Sequence, residues 1–348
     1  MSVEERIEKL GQSAVDSKVF PGCAVAYLRD GQRVEKAFGR LRYGDNEPQV
    51  TKHTVYDVAS ITKSIPTACI VLNLAERGLL TLDDKVIDYV PELKNSYREK
   101  ILIRHLLTYT VEFDLPRLSL IARKAPTKVL DTIFNAELTG PPGSTYAYTN
   151  APAIILGIII ERIYHSSVGE AANELYGSLG MDHTSFSSGR LQNIAPTEVN
   201  WRGEVRGQVH DEAAWALSKE GRIAGDAGLF TTAGDLLVFA QMLLNQGTLG
   251  NHRYFEASTV RLMHTNQIAD LGKSAGMGWQ LNWSQVMGHN GSDQIFGKTG
   301  FTGCIVLIDP VKQRALAHVS NYTFPQRPEP RDTIDQFRRE LADIVFGD

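Results

Sequence analysis

Ser60 stands three residues before Lys63 in the run Tyr56-Asp57-Val58-Ala59-Ser60-Ile61-Thr62-Lys63. Residues three apart share one face of a helix, so the hydroxyl and the amine can meet. A serine hydroxyl is a weak nucleophile until a neighbouring base takes its proton. If the pair opens a helix, the free N–H groups at that end suit an oxyanion forming on an attacked carbonyl. The spacing alone is a weak signal, because ordinary serine and lysine usage gives about one such pair by chance.

Two later groups can assist. In Tyr148-Thr149-Asn150, a phenol beside an ammonium ionises more readily, so Tyr148 with Lys63 can carry the Ser60 proton. The Asn150 amide can orient a substrate carbonyl or Lys63, although a turn tyrosine followed by a helix-capping asparagine is the plain alternative. In Lys298-Thr299-Gly300, a lysine and a threonine at a strand end can bind a substrate carboxylate. A glycine there admits a close backbone approach. The plain alternative is a basic hairpin turn.

Other motifs compete. Gly272-Lys273-Ser274-Ala275-Gly276 matches G-x-S-x-G, with Asp309 and His318 downstream, which makes Ser274 a rival nucleophile of the α/β-hydrolase type. That elbow must follow a strand and open a helix, whereas residues 277–283 read as a strand. Gly297-Lys298-Thr299 ends like a phosphate-binding loop, but Ser292 stands where its first glycine is required and a strand-like run follows. His210 and His289 are candidates to line a cleft. Neither has a second ligand at helical or C-x-x-C spacing, so no metal is expected. Cys23, Cys69 and Cys304 all lie in apolar surroundings and read as buried thiols.

The three groups occur once each and in order, 88 and 150 residues apart. S-x-x-K followed by K-T-G resembles the penicillin-recognising serine enzymes. Tyr148-Thr149-Asn150 as the middle element makes the chain similar to the class C β-lactamase branch, with its esterases, D-stereospecific peptidases and penicillin-binding proteins. Phe20-Pro21-Gly22, Gly228-Leu229-Phe230-Thr231-Thr232 and Gly300-Phe301-Thr302-Gly303 also look like segments of that family. The resemblance implies that Ser60 is acylated, with Lys63 and Tyr148 as the base and acid. It assigns substrate binding to Asn150, Lys298, Thr299 and Gly300. The N–H groups of Ser60 and Phe301 would form the oxyanion hole, and neither metal nor organic cofactor is implied. One stretch departs: Tyr109-Thr110-Val111-Glu112 stands where the family commonly has His-Thr-Ser-Gly. The implied function is hydrolysis of a β-lactam, ester or amide through an acyl-enzyme. The alternative is a penicillin-binding protein or sensor that acylates at Ser60 without efficient turnover. Lys298 favours a small-molecule or peptide-like substrate that carries a carboxylate.

The elements that must position these residues read as α+β. Strand patterns occur at 22–28 and 33–38 around an Asp30-Gly31 turn, and again at 279–283, 295–298, 303–309 and 315–321. The expected architecture is an antiparallel sheet flanked by helices and built from both ends, residues 1–80 and 270–348. A mostly helical lobe, 81–269, is inserted, with the site in the cleft between. The Ser60 helix is expected to run to Arg77, with Gly78 as its stop and a bend or late start at Pro66. Thr232 opens an amphipathic helix to 245, and 185–226 reads mostly as loop.

Composition excludes some classes. The 348 residues carry 36 basic and 40 acidic groups, a formal charge of −4, which argues against nucleic acid or an anionic membrane as partner. The apolar run 151–160 ends at Glu161-Arg162 and is too short to span a bilayer. Residues 2–18 lack the apolar centre of a secretory signal, so a cytoplasmic location is expected.

Overall fold

The computed structural model describes residues Met1–Asp348. The strands, in chain order, are β1 (Gly22–Arg29), β2 (Gln32–Gly39), β3 (Tyr56–Asp57), β4 (Glu198–Asn200), β5 (Gly203–Val205), β6 (Phe230–Thr231), β7 (Thr248–Leu249), β8 (His252–Arg253), β9 (Gln280–Leu281), β10 (Phe296–Thr299), β11 (Ile305–Asp309) and β12 (Arg314–Ser320). Six of them form one antiparallel sheet in the order β2-β1-β12-β11-β10-β9. The two chain ends meet at its centre, where β1 pairs with β12 from Cys23↔Ser320 to Leu28↔Ala315.

The alternation of side chains along a strand explains why both faces are covered. Ala24 and Ala26 of β1 join one apolar cluster, with Ala315, Ala317 and Val319 of β12. Cys23, Val25 and Tyr27 join another, with Leu316, Ile7, Phe337 and Leu341. The second face is closed by the terminal helices Val3–Asp16 and Asp332–Phe346. The first is closed by the helix Ala233–Leu244, which Thr232 caps through the Asp235 N–H at 3.1 Å. That helix lies within 81–269, yet it packs on the sheet. A sheet face this apolar must be buried, and Leu236, Leu237, Ala240 and Leu243 supply the cover.

Between residues 86 and 179 the chain is helical around Ala151–Tyr164, whose residues from Ala151 to Ile160 are all buried. No single helix is long and apolar enough to cross a membrane. The region 185–226 holds more than loop: the β4–β5 hairpin and the helix Glu212–Lys219, capped by Asp211. The strand expected over 279–283 is shorter, because Asn282 adopts φ +49° and Trp283 leads into the helix Ser284–Met287. The Ser60 helix is broken. A short 3-10 turn, Ala59–Lys63, is followed by an extended Ile65 (φ −118°, ψ 104°), and the α-helix is Cys69–Glu76. Pro66 accounts for this, since proline lacks an N–H and drives the preceding residue out of helical geometry.

Candidate active site

Ser60 is presented by a backbone held out of its ordinary range. β3 pairs with β6 and ends at Asp57; two residues later Ala59 has φ +46°. A left-handed alanine costs about 1 kcal/mol or more and persists only where its surroundings fix it. The fully buried Asp57 carboxylate accepts the Ala59 N–H at 2.7 Å and the His210 N–H at 2.7 Å. Thr62 Oγ1 donates to the Ala59 carbonyl at 2.6 Å. Burial pushes the Asp57 carboxyl up to about 6, against the pull of those two N–H groups. Because Ser60 sits in a five-residue turn, the long helix end expected to support an oxyanion is not behind it.

Lys63 is buried under Ser60. Its Nζ donates to Ser60 Oγ at 2.9 Å and to the Asp226 carbonyl at 2.9 Å, and lies 3.9 Å from the Asp226 carboxylate. The Tyr148 ring centre is 5.8 Å from Lys63 Nζ and 4.2 Å from Lys298 Nζ. Burial pushes the Tyr148 phenol up, but the two ammonium groups, Lys298 first, and the Ser60 hydroxyl outweigh it and bring it down to about 8. Tyr148 is nonetheless 39% exposed, so its ring also faces the cleft mouth. Lys298 is fully buried, and burial pushes its ammonium down. A second ring shares it: Tyr109 lies 5.1 Å from Lys298 Nζ and 4.9 Å, centre to centre, from Tyr148. Tyr109 adopts φ +56°, and its carbonyl accepts the Ala147 N–H at 2.9 Å. The atypical 109–112 stretch thus braces the Tyr148 segment.

The turn after β10 is fixed from three sides. Gly300 N–H donates to the Cys304 carbonyl at 2.7 Å, and Thr302 Oγ1 donates to the Asp57 carbonyl at 2.7 Å. Arg338, 2% exposed, donates to the carbonyls of Gly300, Gly303 and Cys304 at 2.7, 3.1 and 2.9 Å. A Cβ on Gly300 would lie 2.3 Å from the Val58 carbonyl oxygen, so only glycine lets this turn dock beside Ser60. The N–H groups of Ser60 and Phe301 have no acceptor within the protein. Ser60, Tyr148, Asn150, His210 and Phe301 line one cleft of about 490 Å³.

The remaining candidates are placed as follows. Asn150 Nδ2 donates to Asp211 at 3.1 Å; a carboxylate only accepts, so the amide turns its NH₂ that way. Thr299 is half-buried, with its N–H on Gln280 Oε1 at 3.2 Å. The buried His210 ring stacks on Phe301 at 5.6 Å with neither nitrogen partnered, and burial pushes it down to about 4. His289 does not line the cleft. It borders a separate hollow with Gly288 and Ser292, and its N–H donates to Asp343 at 2.6 Å. Ser274 is not assembled into a triad. It is exposed beside Tyr146 and Trp283, whereas His318 is buried on the far sheet face against Phe20 and Phe337. The Asp309 carboxylate is held by Ser292 and the N–H groups of Val311 and Lys312. All three cysteines are buried and unpaired.

Sequence reasoning missed Asp57, Asp226 and Arg338, and met Tyr109 only as part of the atypical 109–112 stretch. A signal existed for Asp226: one carboxylate inside the small and apolar run Ile223–Phe230. None existed for Arg338, which belongs to an ordinary amphipathic helix.

A family model described as Beta-lactamase matches residues 4–339. A protein of Escherichia coli (strain K12) named "Putative D-alanyl-D-alanine carboxypeptidase" is 29% identical, over 94% of this chain and 85% of its own length. Among solved structures, EstCE1, described as a hydrolase with promiscuous acyltransferase activity, superposes with a TM-score of 0.78 at 19% identity, covering 99% of this chain and 98% of that one. The octameric penicillin-binding protein homologue from Pyrococcus abyssi gives 0.70 at 21%, covering 92% and 72%. These two share the fold.

Proposed function

The chain belongs to the β-lactamase family of serine hydrolases, and on that footing we propose that Ser60 is its nucleophile and is acylated by small or peptide-like substrates. The observation that carries this reading is the 2.9 Å contact of Lys63 Nζ with Ser60 Oγ beneath a phenol flanked by two ammonium groups. In acylation the Ser60 proton passes to the Lys63–Tyr148 pair as the Oγ–carbon bond forms. The carbonyl π pair moves onto oxygen, facing the N–H groups of Ser60 and Phe301. Collapse breaks the bond to the leaving group, which takes the proton from Tyr148. Water repeats the sequence and releases the acid and free Ser60.

Phe113, Leu115 and Leu118 in the cleft wall favour an apolar acyl group on an ester or amide. A peptide ending in a D-amino acid is the second reading, favoured by the name of the Escherichia coli relative. Lys298, buried over the Tyr148 ring, acts on the phenol in our reading, and a substrate carboxylate falls to the half-buried Thr299. One experiment separates these. The protein is given p-nitrophenyl butyrate, a chromogenic cephalosporin and a D-alanyl-D-alanine peptide, with intact-mass detection of the acyl-enzyme. Ester turnover with a transient adduct supports the first reading, and D-alanine release the second. A stable cephalosporin adduct without turnover makes the protein a binder. An adduct retained in Ser60→Ala overturns the assignment of the nucleophile.

A further inference from the structure

Asp226 is fully buried, and neither of its carboxylate oxygens has a hydrogen-bond donor in the protein. A buried carboxylate without donors is costly and calls for a reason. Its backbone has one already, since the Asp226 carbonyl accepts from Lys63 Nζ at 2.9 Å. The side chain does something else. Its one opposite charge is Lys63 Nζ at 3.9 Å, an ion-pair distance too long for a hydrogen bond. The other charged or titratable groups that face this hollow are Asp211, Tyr109 and, beyond Lys63, Tyr148 and Lys298. Asp211 is occupied by Asn150 and by the Ala214 N–H, so it leaves Lys63 to Asp226.

We propose that Asp226 is a positioning residue for this reaction: its carboxylate is the counter-charge of Lys63 and sets the pH at which the Lys63–Tyr148 pair can accept the Ser60 proton. The inference rests on the reading of Ser60, Lys63 and Tyr148 as the reacting group. Burial, and then Asp211, push the Asp226 carboxyl up to about 7, against the pull of Lys63. At low pH Asp226 and Tyr148 both hold their protons, so the phenol is no base. As pH rises, Asp226 gives up its proton first. Its anion then opposes ionisation of the Tyr148 phenol across Lys63, because a negative neighbour disfavours the phenolate. That phenol must be ionised before the Ser60 proton can move to it. Asp226 forms and breaks no bond to substrate.

Removing the charge therefore frees the base at lower pH. The test is the pH profile of kcat/KM with p-nitrophenyl butyrate for the wild type, Asp226→Asn and Ser60→Ala, each normalised to its plateau. The acid limb of Asp226→Asn is expected to move down by about one unit, roughly a tenfold gain in relative rate on that limb. If the asparagine variant does not fold, judged by circular dichroism, Asp226→Ser removes the same charge and is read in its place. Coincident profiles, or a limb moved upward, overturn the inference provided Ser60→Ala is inactive. Activity retained in Ser60→Ala means that the underlying reading of the site has failed instead. A purely structural role for Asp226 lowers Tm and leaves the normalised limb where it was.

Discussion

Lys298 Nζ lies 4.2 Å from the centre of the Tyr148 ring and has no hydrogen-bond acceptor in the protein. A buried ammonium between two phenol rings, with the Lys63 ammonium also acting on it, is poorly compensated. Its consequence falls on the phenol, which it helps to bring down to about 8.

We predict that Lys298→Met, which keeps length and removes charge, moves the acid limb of kcat/KM for a neutral ester upward by about a unit, because the phenolate loses its nearer cation. The same change should raise stability by about 1 kcal/mol, since it removes an uncompensated buried charge. If Lys298 instead anchors a substrate carboxylate, KM rises for carboxylate-bearing substrates alone and the neutral-ester profile stays put.

Gly300→Ala should be damaging although the added group is one methyl. Its Cβ would lie 2.3 Å from the Val58 carbonyl oxygen, backbone that leads directly into Ala59 and Ser60. Overpacking against backbone costs about 1–3 kcal/mol, and the displacement falls on the serine. A lower Tm with a larger loss in kcat than in KM is expected. Unchanged kcat would show that the turn relaxes without moving Ser60.

Arg338 donates to three carbonyls of the turn that carries Phe301. Lysine cannot reproduce that planar fork. Arg338→Lys should therefore cost about 2–4 kcal/mol, with buried carbonyls left unpaired, and should lower kcat with the turn loosened. Thermal unfolding and ester kinetics check both effects. A variant matching the wild type in each would mean that the turn holds itself.

Stability should respond to pH in two opposite ways. Burial, chiefly, raises the Asp57 and Asp226 carboxyls from 3.8 to about 6 and about 7. The folded state binds these protons more tightly, so their contribution is full below about pH 3.8 and is lost as pH rises through 6 to 7. Burial lowers His210 and His318 from 6.5 to about 4 and about 3. Their contribution is full above pH 6.5 and is lost as pH falls toward 3. Asp226→Asn should thus gain Tm relative to the wild type between pH 5 and 8, while His318→Leu should lose less Tm between pH 6.5 and 4. Parallel Tm curves for either variant and the wild type would refute that assignment.

Much of the fold was legible because its signals are local. The β-rich run of Gly22–Arg29, the Asp30-Gly31 turn and the cap at Thr232 each depend on residues close in sequence. Pro66 announced the break in the Ser60 helix for the same reason. The strand at 279–283 was overread because composition does not reveal the positive φ of Asn282. The helix Ala233–Leu244 was legible as a helix, but not as the cover of the sheet, since an apolar face does not name what it packs against.

The sequence by itself determined which residue types were available for chemistry and their order along the chain: Ser60 and Lys63, then Tyr148, then Lys298. Only the tertiary structure decided what each one touches. It put Asp226 beside Lys63 across 163 residues of chain, set Tyr109 against Tyr148, and closed Arg338 over the Gly300 turn. It also separated Ser274 from His318, and moved His289 out of the cleft. The physical reason is that a residue's periodicity and capping are set by its chain neighbours. Its burial, charge partners and proton affinity are set by whatever packing brings within a few ångströms, and spacing along the chain carries no record of that.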